Sequence, residues 1–216
     1  MHRNVLAIAL AVIAVGASYG AIAVAAGLPA WVIVAMSVLV FAGGAQFMTI
    51  GMLAAGNPIA AVLAGLLLNA RHLPFGLAMS DAVGTGWGTR AIGSHLMVDE
   101  SVAFAMAQPD PDRRRAAYWL TGATLFVAWN TGTLLGVALG AAAGDPAAFG
   151  LDAAFPAGLL ALILPSLRDQ ATRRAAVAGA AVAVLATPLL PAGLPVLLAL
   201  GGVALAVARP KVVQPC

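Results

Sequence analysis

Residues 57–79 read NPIAAVLAGLLLNARHLPFGLAM, and one arginine inside this apolar run decides how the chain is to be understood. Arg71 arrives after a stretch, Asn4 to Ala70, that contains no Lys, Arg, Asp or Glu. A guanidinium at bilayer depth costs about 2.5–3.5 kcal/mol on insertion scales, so it has to sit in protein-lined polar space or reach for the headgroups. The apolar run continues through Leu77-Ala78-Met79, which favours the first placement and makes Arg71 a functional-site candidate.

Working outward, 62% of the 216 residues are hydrophobic and 9% charged, and the mean hydropathy is +0.99. A soluble domain carries roughly 25% charged residues. The chain is read as an integral membrane protein, all-α, a single integral-membrane domain over residues 1–216. The uncharged stretches Asn4–Ala70, Ala116–Gly144 and Ala175–Ala208 each exceed the roughly 20 residues a helix needs to cross the hydrocarbon core. Segments such as Val5–Leu10 and Ala175–Ala186 are apolar on every face, which excludes the alternating pattern of an outer-membrane barrel.

Turn signals at Gly27-Leu28-Pro29, Gly56-Asn57-Pro58, Gly84 to Gly88, Pro109-Asp110-Pro111, Gly144-Asp145-Pro146 and Pro191-Ala192-Gly193 divide the apolar bulk. They predict helices near 4–26, 31–55, 59–80, 92–107, 117–142, 154–167, 174–190 and 194–208. That is a bundle of seven to eight spans, some broken or re-entrant; 92–107, with Asp99 and Glu100, and the short 154–167, with two prolines, are the candidates for such irregularity. The run Val5 to Ala26 exceeds the apolar core of a secretion signal and is expected to remain as the first helix. Eight crossings place Arg3, Arg113-Arg114-Arg115, Arg168, Arg173, Arg174, Arg209 and Lys211 on one side, and the acidic loop of Asp145 and Asp152 on the other. The positive-inside bias then predicts both termini in the cytoplasm.

Several functions are excluded by what these residues lack. The net charge of +3 comes from loop arginines, with no basic stripe of interleaved aromatics for nucleic acid. Cys216 is the last residue and forms no internal disulfide or prenylation box. His2, His72 and His95 have no metal-ligand spacing, so neither metal nor cofactor is expected. No nucleophile elbow, phosphate loop or dinucleotide fingerprint occurs, and no enzyme activity is expected.

Four constellations carry polar chemistry. In Phe41-Ala-Gly-Gly-Ala-Gln46-Phe47-Met-Thr49, the glycines allow close backbone approach, and Gln46 offers an amide to a substrate or to a neighbouring helix. In Asn69-Ala-Arg71-His72-Leu-Pro74, the proline frees the carbonyl of Ala70 and bends or breaks the helix at the Arg-His pair, the device by which many transporters build a midplane site. Asn69 shares a face with His72. In His95-Leu-Met-Val-Asp99-Glu100-Ser101, His95 and Asp99 are four apart and form a candidate proton-sharing pair or a counter-charge for Arg71. In Trp129-Asn130-Thr131-Gly132-Thr133, Asn130 is a polar group in mid-span and Gly132, Gly136 and Gly140 form a packing stripe. Arg71, Asn69, Gln46 and Asn130 are the substrate-binding candidates; His72, Asp99, Glu100 and His95 are the proton-coupling candidates.

These segments in this order, with Gly150-Leu-Asp152-Ala-Ala-Phe-Pro156, resemble the AzlC family of branched-chain amino acid permease large subunits, over about Ser18 to Pro165. The resemblance implies a multi-pass protein of the bacterial inner membrane that moves branched-chain amino acids, mainly outward. It also implies a small AzlD-type membrane subunit as partner. The residues compatible with that chemistry are a cation for the carboxylate, Arg71, an anion for the ammonium, Asp99 or Glu100, and an apolar wall for the side chain. The competing readings are a non-transporting membrane scaffold, held by an ion pair between Arg71 and Glu100, and a passive channel.

Overall fold

The computed structural model describes residues 2–54, 56–143, 160, 164, 166–190, 194–199 and 201. Every regular element among them is helical. Three helical stretches are long and apolar enough to cross a membrane: Val5–Ala25 within α1 (His2–Ala25), Pro58–Ala78, which comprises α4 (Pro58–Asn69) and α5 (His72–Ala78), and Pro111–Ala142 within α9 (Pro111–Ala143). Leu6, Leu10, Ile59, Leu66, Leu77 and Val127 on these spans are exposed, a hydrophobic girdle that suits lipid.

α1 and α9 form the central pair and run parallel. A Cβ added at Gly16 would lie 2.8 Å from the Trp129 carbonyl oxygen, and one at Gly140 would lie 3.1 Å from the Ala21 Cα. Side chains at Gly132 and Gly136 would likewise run into the backbone of Ile13 and Ala17. The partner residue climbs along α1 as the glycine climbs along α9, so small residues every fourth position bring two backbones into contact in the way membrane helices without a hydrophobic driving force associate.

Between these two lie pairs of short helices that enter and leave by the same end. α2 (Ala30–Leu39) and α3 (Gly43–Ala54) meet at Val40–Ala42. Tyr19 of α1 touches both arms, reaching the Ile33 carbonyl at 3.4 Å and the Phe47 ring at 5.6 Å. Two residues some seven places to either side of the break therefore lie at one depth, and the pair is a hairpin. The chain then turns at Gly56, which has a φ of +74°, and Asn57 caps α4 by accepting from the Ala60 amide at 3.0 Å, with Pro58 in the first turn where its missing N–H costs nothing. α4 returns along α3, Gly65 beside Thr49 and Gly44 beside Leu68, and the span continues as α5 to Ala78, whose carbonyl accepts from Arg114 near the start of α9.

The second pair mirrors the first from the other end. After α6 (Ser80–Val83), α7 (Trp87–His95) rises past Tyr118, which donates to the Gly93 carbonyl at 2.7 Å. After Leu96–Val98, α8 (Asp99–Met106) descends until Val102 and Ala105 pack in the same cluster as Tyr118. The two tips meet: the Phe41 ring is 6.1 Å from His95, and Phe126, near the middle of α9, touches both at 5.0 and 5.6 Å.

The sequence predicts an unbroken helix near 31–55, which is corrected here, and a broken or re-entrant segment near 92–107. Phe41 adopts φ +41°, two glycines follow it, and the Ala42 amide donates to Gln46 Oε1 at 3.2 Å rather than continuing a helix. The second segment is interrupted as its carboxylates foreshadow, and it starts earlier, at Trp87. Five of the expected crossings thus resolve into three spans and two re-entrant pairs. The predicted helix near 174–190 is α10 (Gln170–Ala186), and α11 (Leu194–Ala199) lies against it at Gly179. The predicted helices near 154–167 and 194–208, and the motif from Gly150 to Pro156, lie wholly or largely outside the described residues.

Candidate functional site

Where the two tips approach the α4–α5 junction there is a cavity of about 510 Å³, within the range of about 300–1,000 Å³ usual for small-molecule sites. Its polar wall is Arg71, His72, Asp99 and Glu100, and its apolar wall includes Ile8, Val12, Val15, Phe47, Leu68 and Trp129. Each polar residue arrives there through a local interruption of helix.

Arg71 sits in the junction of α4 and α5. Pro74, in the third position of α5, cannot offer an N–H to Ala70; instead Leu73 donates to the Ala70 carbonyl at 3.0 Å and Ala70 to Leu67 at 3.2 Å. The span tightens by one turn and is not severed, since Ala70 and Arg71 both keep right-handed helical dihedrals. The expectation that Pro74 frees the Ala70 carbonyl is corrected: that carbonyl takes the Leu73 amide in a tighter turn. His72 Nδ1 donates to the Asn69 carbonyl at 2.9 Å, which fixes the orientation of the ring.

Asp99 and Glu100 open α8. Ser101 Oγ accepts from the Val98 amide at 3.0 Å and donates back to the Val98 carbonyl at 2.8 Å, which fixes the entry to the helix. Carboxylates in a first turn answer the partial positive charge of the free amides. Arg71 Nη1 donates to Asp99 Oδ2 at 2.5 Å across the cavity edge. The charge partner of Arg71 is thus Asp99, whereas the scaffold reading names Glu100.

The other helix start at the cavity, that of α3, carries no carboxylate. Gly43 and Gly44 form its first turn and line the cavity, and the amides of a first turn have no acceptor within the helix. A Cβ on Gly44 would sit 3.2 Å from a Leu68 methyl and 4.0 Å from Arg71 Nη2. Sequence reading treats these glycines only as packing residues; the signal for their placement is a Gly-Gly pair just after an aromatic residue in an otherwise unbroken apolar run.

The remaining candidates lie off the cavity wall. Gln46 is fully buried and reaches back to the Ala42 amide, so it holds the start of α3 in place. The Asn130 amide donates to the Phe126 carbonyl at 2.9 Å and its oxygen accepts from Ser37 at 2.8 Å; Ser37 also meets Thr133 at 3.1 Å. That network joins α2 to α9. His95 is packed between Phe41 and Phe126. Asn69 contributes its backbone to His72, while its side-chain oxygen is buried without a partner among the described residues.

A helical membrane protein whose interrupted helices gather charged groups around a cavity at mid-span has the architecture of a membrane transport protein. Residues 7–143 match the family described as AzlC protein. The chain belongs to the AzlC family, a transporter-type family associated with branched-chain amino acid transport. No curated protein and no solved structure gives a match.

Proposed function

We propose that the protein is the large subunit of a secondary transporter that exports branched-chain amino acids in exchange for protons, together with a small AzlD-type membrane subunit. The observation that carries this reading is the position of Arg71 in a cavity whose opposite elements supply carboxylates and whose other walls are apolar. Arg71 and the open amides at Gly43 and Gly44 receive the substrate carboxylate, Glu100 receives the ammonium, and Val12, Val15, Leu68 and Phe47 surround the branched side chain. When the site is empty, Glu100 carries a proton, with His72 on the same cavity wall as the relay; ammonium and proton compete for one carboxylate, which couples one inward proton to one outward zwitterion.

Parallel packing of α1 and α9 puts Arg3 and Arg113-Arg114-Arg115 at the same end of the central pair. This supports an orientation in the inner membrane with that end in the cytoplasm. The test is purified protein in liposomes, with and without the small subunit, loaded with labelled Leu, Val, Ile or Met under an imposed pH gradient. Saturable efflux driven by the gradient and lost in Arg71→Ala at normal membrane abundance is expected; unchanged efflux in that variant rejects the assignment.

The Arg71–Asp99 pair also favours a second reading, a scaffold in which the charges only tie α8 to the α4–α5 span. That reading predicts that the double variant Arg71→Asp with Asp99→Arg restores abundance, and that the wild-type protein moves no solute.

A further inference from the structure

In the cavity Arg71 is already engaged. Its contact with Asp99 uses Nη1 and Oδ2 alone, while Arg71 Nε and Asp99 Oδ1 are buried with no hydrogen-bond partner among the described residues. An arginine and a carboxylate that are paired for stability commonly face each other with two parallel hydrogen bonds. Here each partner keeps an unmet group, and buried unmet groups are costly. The pair joins two separate elements, the tightened turn between α4 and α5 and the tip of a re-entrant hairpin.

A carrier has to bring its empty site back through a closed state. An arginine left alone in apolar surroundings would oppose that step, because an unpaired charge pays the full desolvation cost. Asp99, by contrast, has somewhere to go when released: it opens α8, and the partial positive charge of a helix start stabilises an anion. We propose that Asp99 is the internal stand-in for the substrate carboxylate. In the empty carrier it neutralises Arg71 and lets the site return without cargo; in the loaded carrier the amino acid carboxylate takes Arg71, and Asp99 falls back on the start of its own helix. The protein therefore runs net efflux and is not bound to exchange one amino acid for another. This inference rests on the reading of Arg71 as the carboxylate site given under Proposed function.

The experiment compares two fluxes of labelled leucine from the same liposomes, net efflux into leucine-free buffer and exchange against external unlabelled leucine. In Asp99→Asn, net efflux is expected to fall at least about 20-fold while exchange stays within about threefold of wild type, since only the empty carrier lacks a partner for Arg71. Asp99→Glu, which keeps the charge, restores most of the net efflux. In the wild type, external leucine accelerates efflux less than about twofold, because the return step is already relieved; this measurement decides the matter if Asp99→Asn fails to reach the membrane. Equal loss of both fluxes in Asp99→Asn, or obligatory exchange in the wild type, overturns the inference and leaves the carrier reading standing. A wild-type protein carrying neither flux overturns that reading and this inference with it.

Discussion

The two re-entrant pairs approach the middle of α9 from opposite ends, yet they arrive with opposite chemistry. α2–α3 brings a helix start made of Gly43 and Gly44 with no side-chain charge, and α7–α8 brings one made of Asp99 and Glu100, held by Ser101. Both helix starts carry partial positive charge. At α8 that charge is answered within the chain; at α3 it is left to the cavity. Under the proposed function, the first tip meets the carboxylate of a zwitterion and the second its ammonium or a proton.

The largest effect is expected from giving the first tip the character of the second. Gly44→Asp brings a carboxylate within reach of the Arg71 guanidinium, since a Cβ added at that residue would lie 4.0 Å from Arg71 Nη2. Arg71 and the α3 amides are then occupied from within. Leucine efflux should fall by about two to three orders of magnitude, as expected when a charge-assisted contact worth several kcal/mol is blocked, with membrane abundance little changed. Retained efflux would separate the α3 tip from the anion site.

Next comes Glu100→Gln, which removes the charge at the second tip and keeps the shape. With an amide in place of the carboxylate, the ammonium loses its partner and the proton its carrier. The apparent affinity for leucine should weaken by about tenfold or more, in line with a charged hydrogen bond of about 1.5–3 kcal/mol, and the dependence of efflux on the pH gradient should vanish. A variant that still responds to the gradient would move the proton to His72.

A smaller effect, confined to affinity, is expected of Gly44→Ala. Its methyl approaches Leu68, a side chain with room to adjust, and narrows the slot in front of Arg71. A rise of a few-fold in KM with kcat nearly unchanged, corresponding to about 1 kcal/mol of uniform binding, is the expected outcome. Gly43→Ala differs because its methyl would meet the Trp129 ring at 2.9 Å; part of its cost should appear as lost thermal stability.

How much of this was legible from the residues follows from the range over which each signal acts. Arg71 announces itself because charge in a long uncharged run has few physical explanations, and Pro74 marks the turn where it sits. Asp99 and Glu100 interrupt their helix in sequence as they do in space. The break at Val40–Ala42 was not legible, because Val, Phe, Ala and Gly are as apolar in a hairpin tip as in a continuous span, and hydropathy does not register a φ of +41° at Phe41. Which carboxylate meets Arg71 depends on how the second hairpin docks, a contact across 28 positions in the chain. The Gly132, Gly136 and Gly140 stripe was readable as a packing surface, but its partner and parallel sense depend on α1, more than a hundred residues away.

The smallest effect in this series tests the network behind the first tip. Asn130 sits in mid-span, where sequence reasoning offers it as a substrate ligand, and its side chain is engaged with Ser37 and the Phe126 carbonyl, which fastens the descending arm α2 to α9. Ser37→Ala removes the contacts with Asn130 and Thr133 at a residue with 1% exposure and leaves the Asn130 oxygen without that donor, a loss of about 1–2 kcal/mol. If the network serves the tip alone, thermal stability in detergent drops by a few degrees while KM for leucine and the pH dependence of efflux stay at wild-type values. A change in KM without loss of stability would instead connect Asn130 to the cargo.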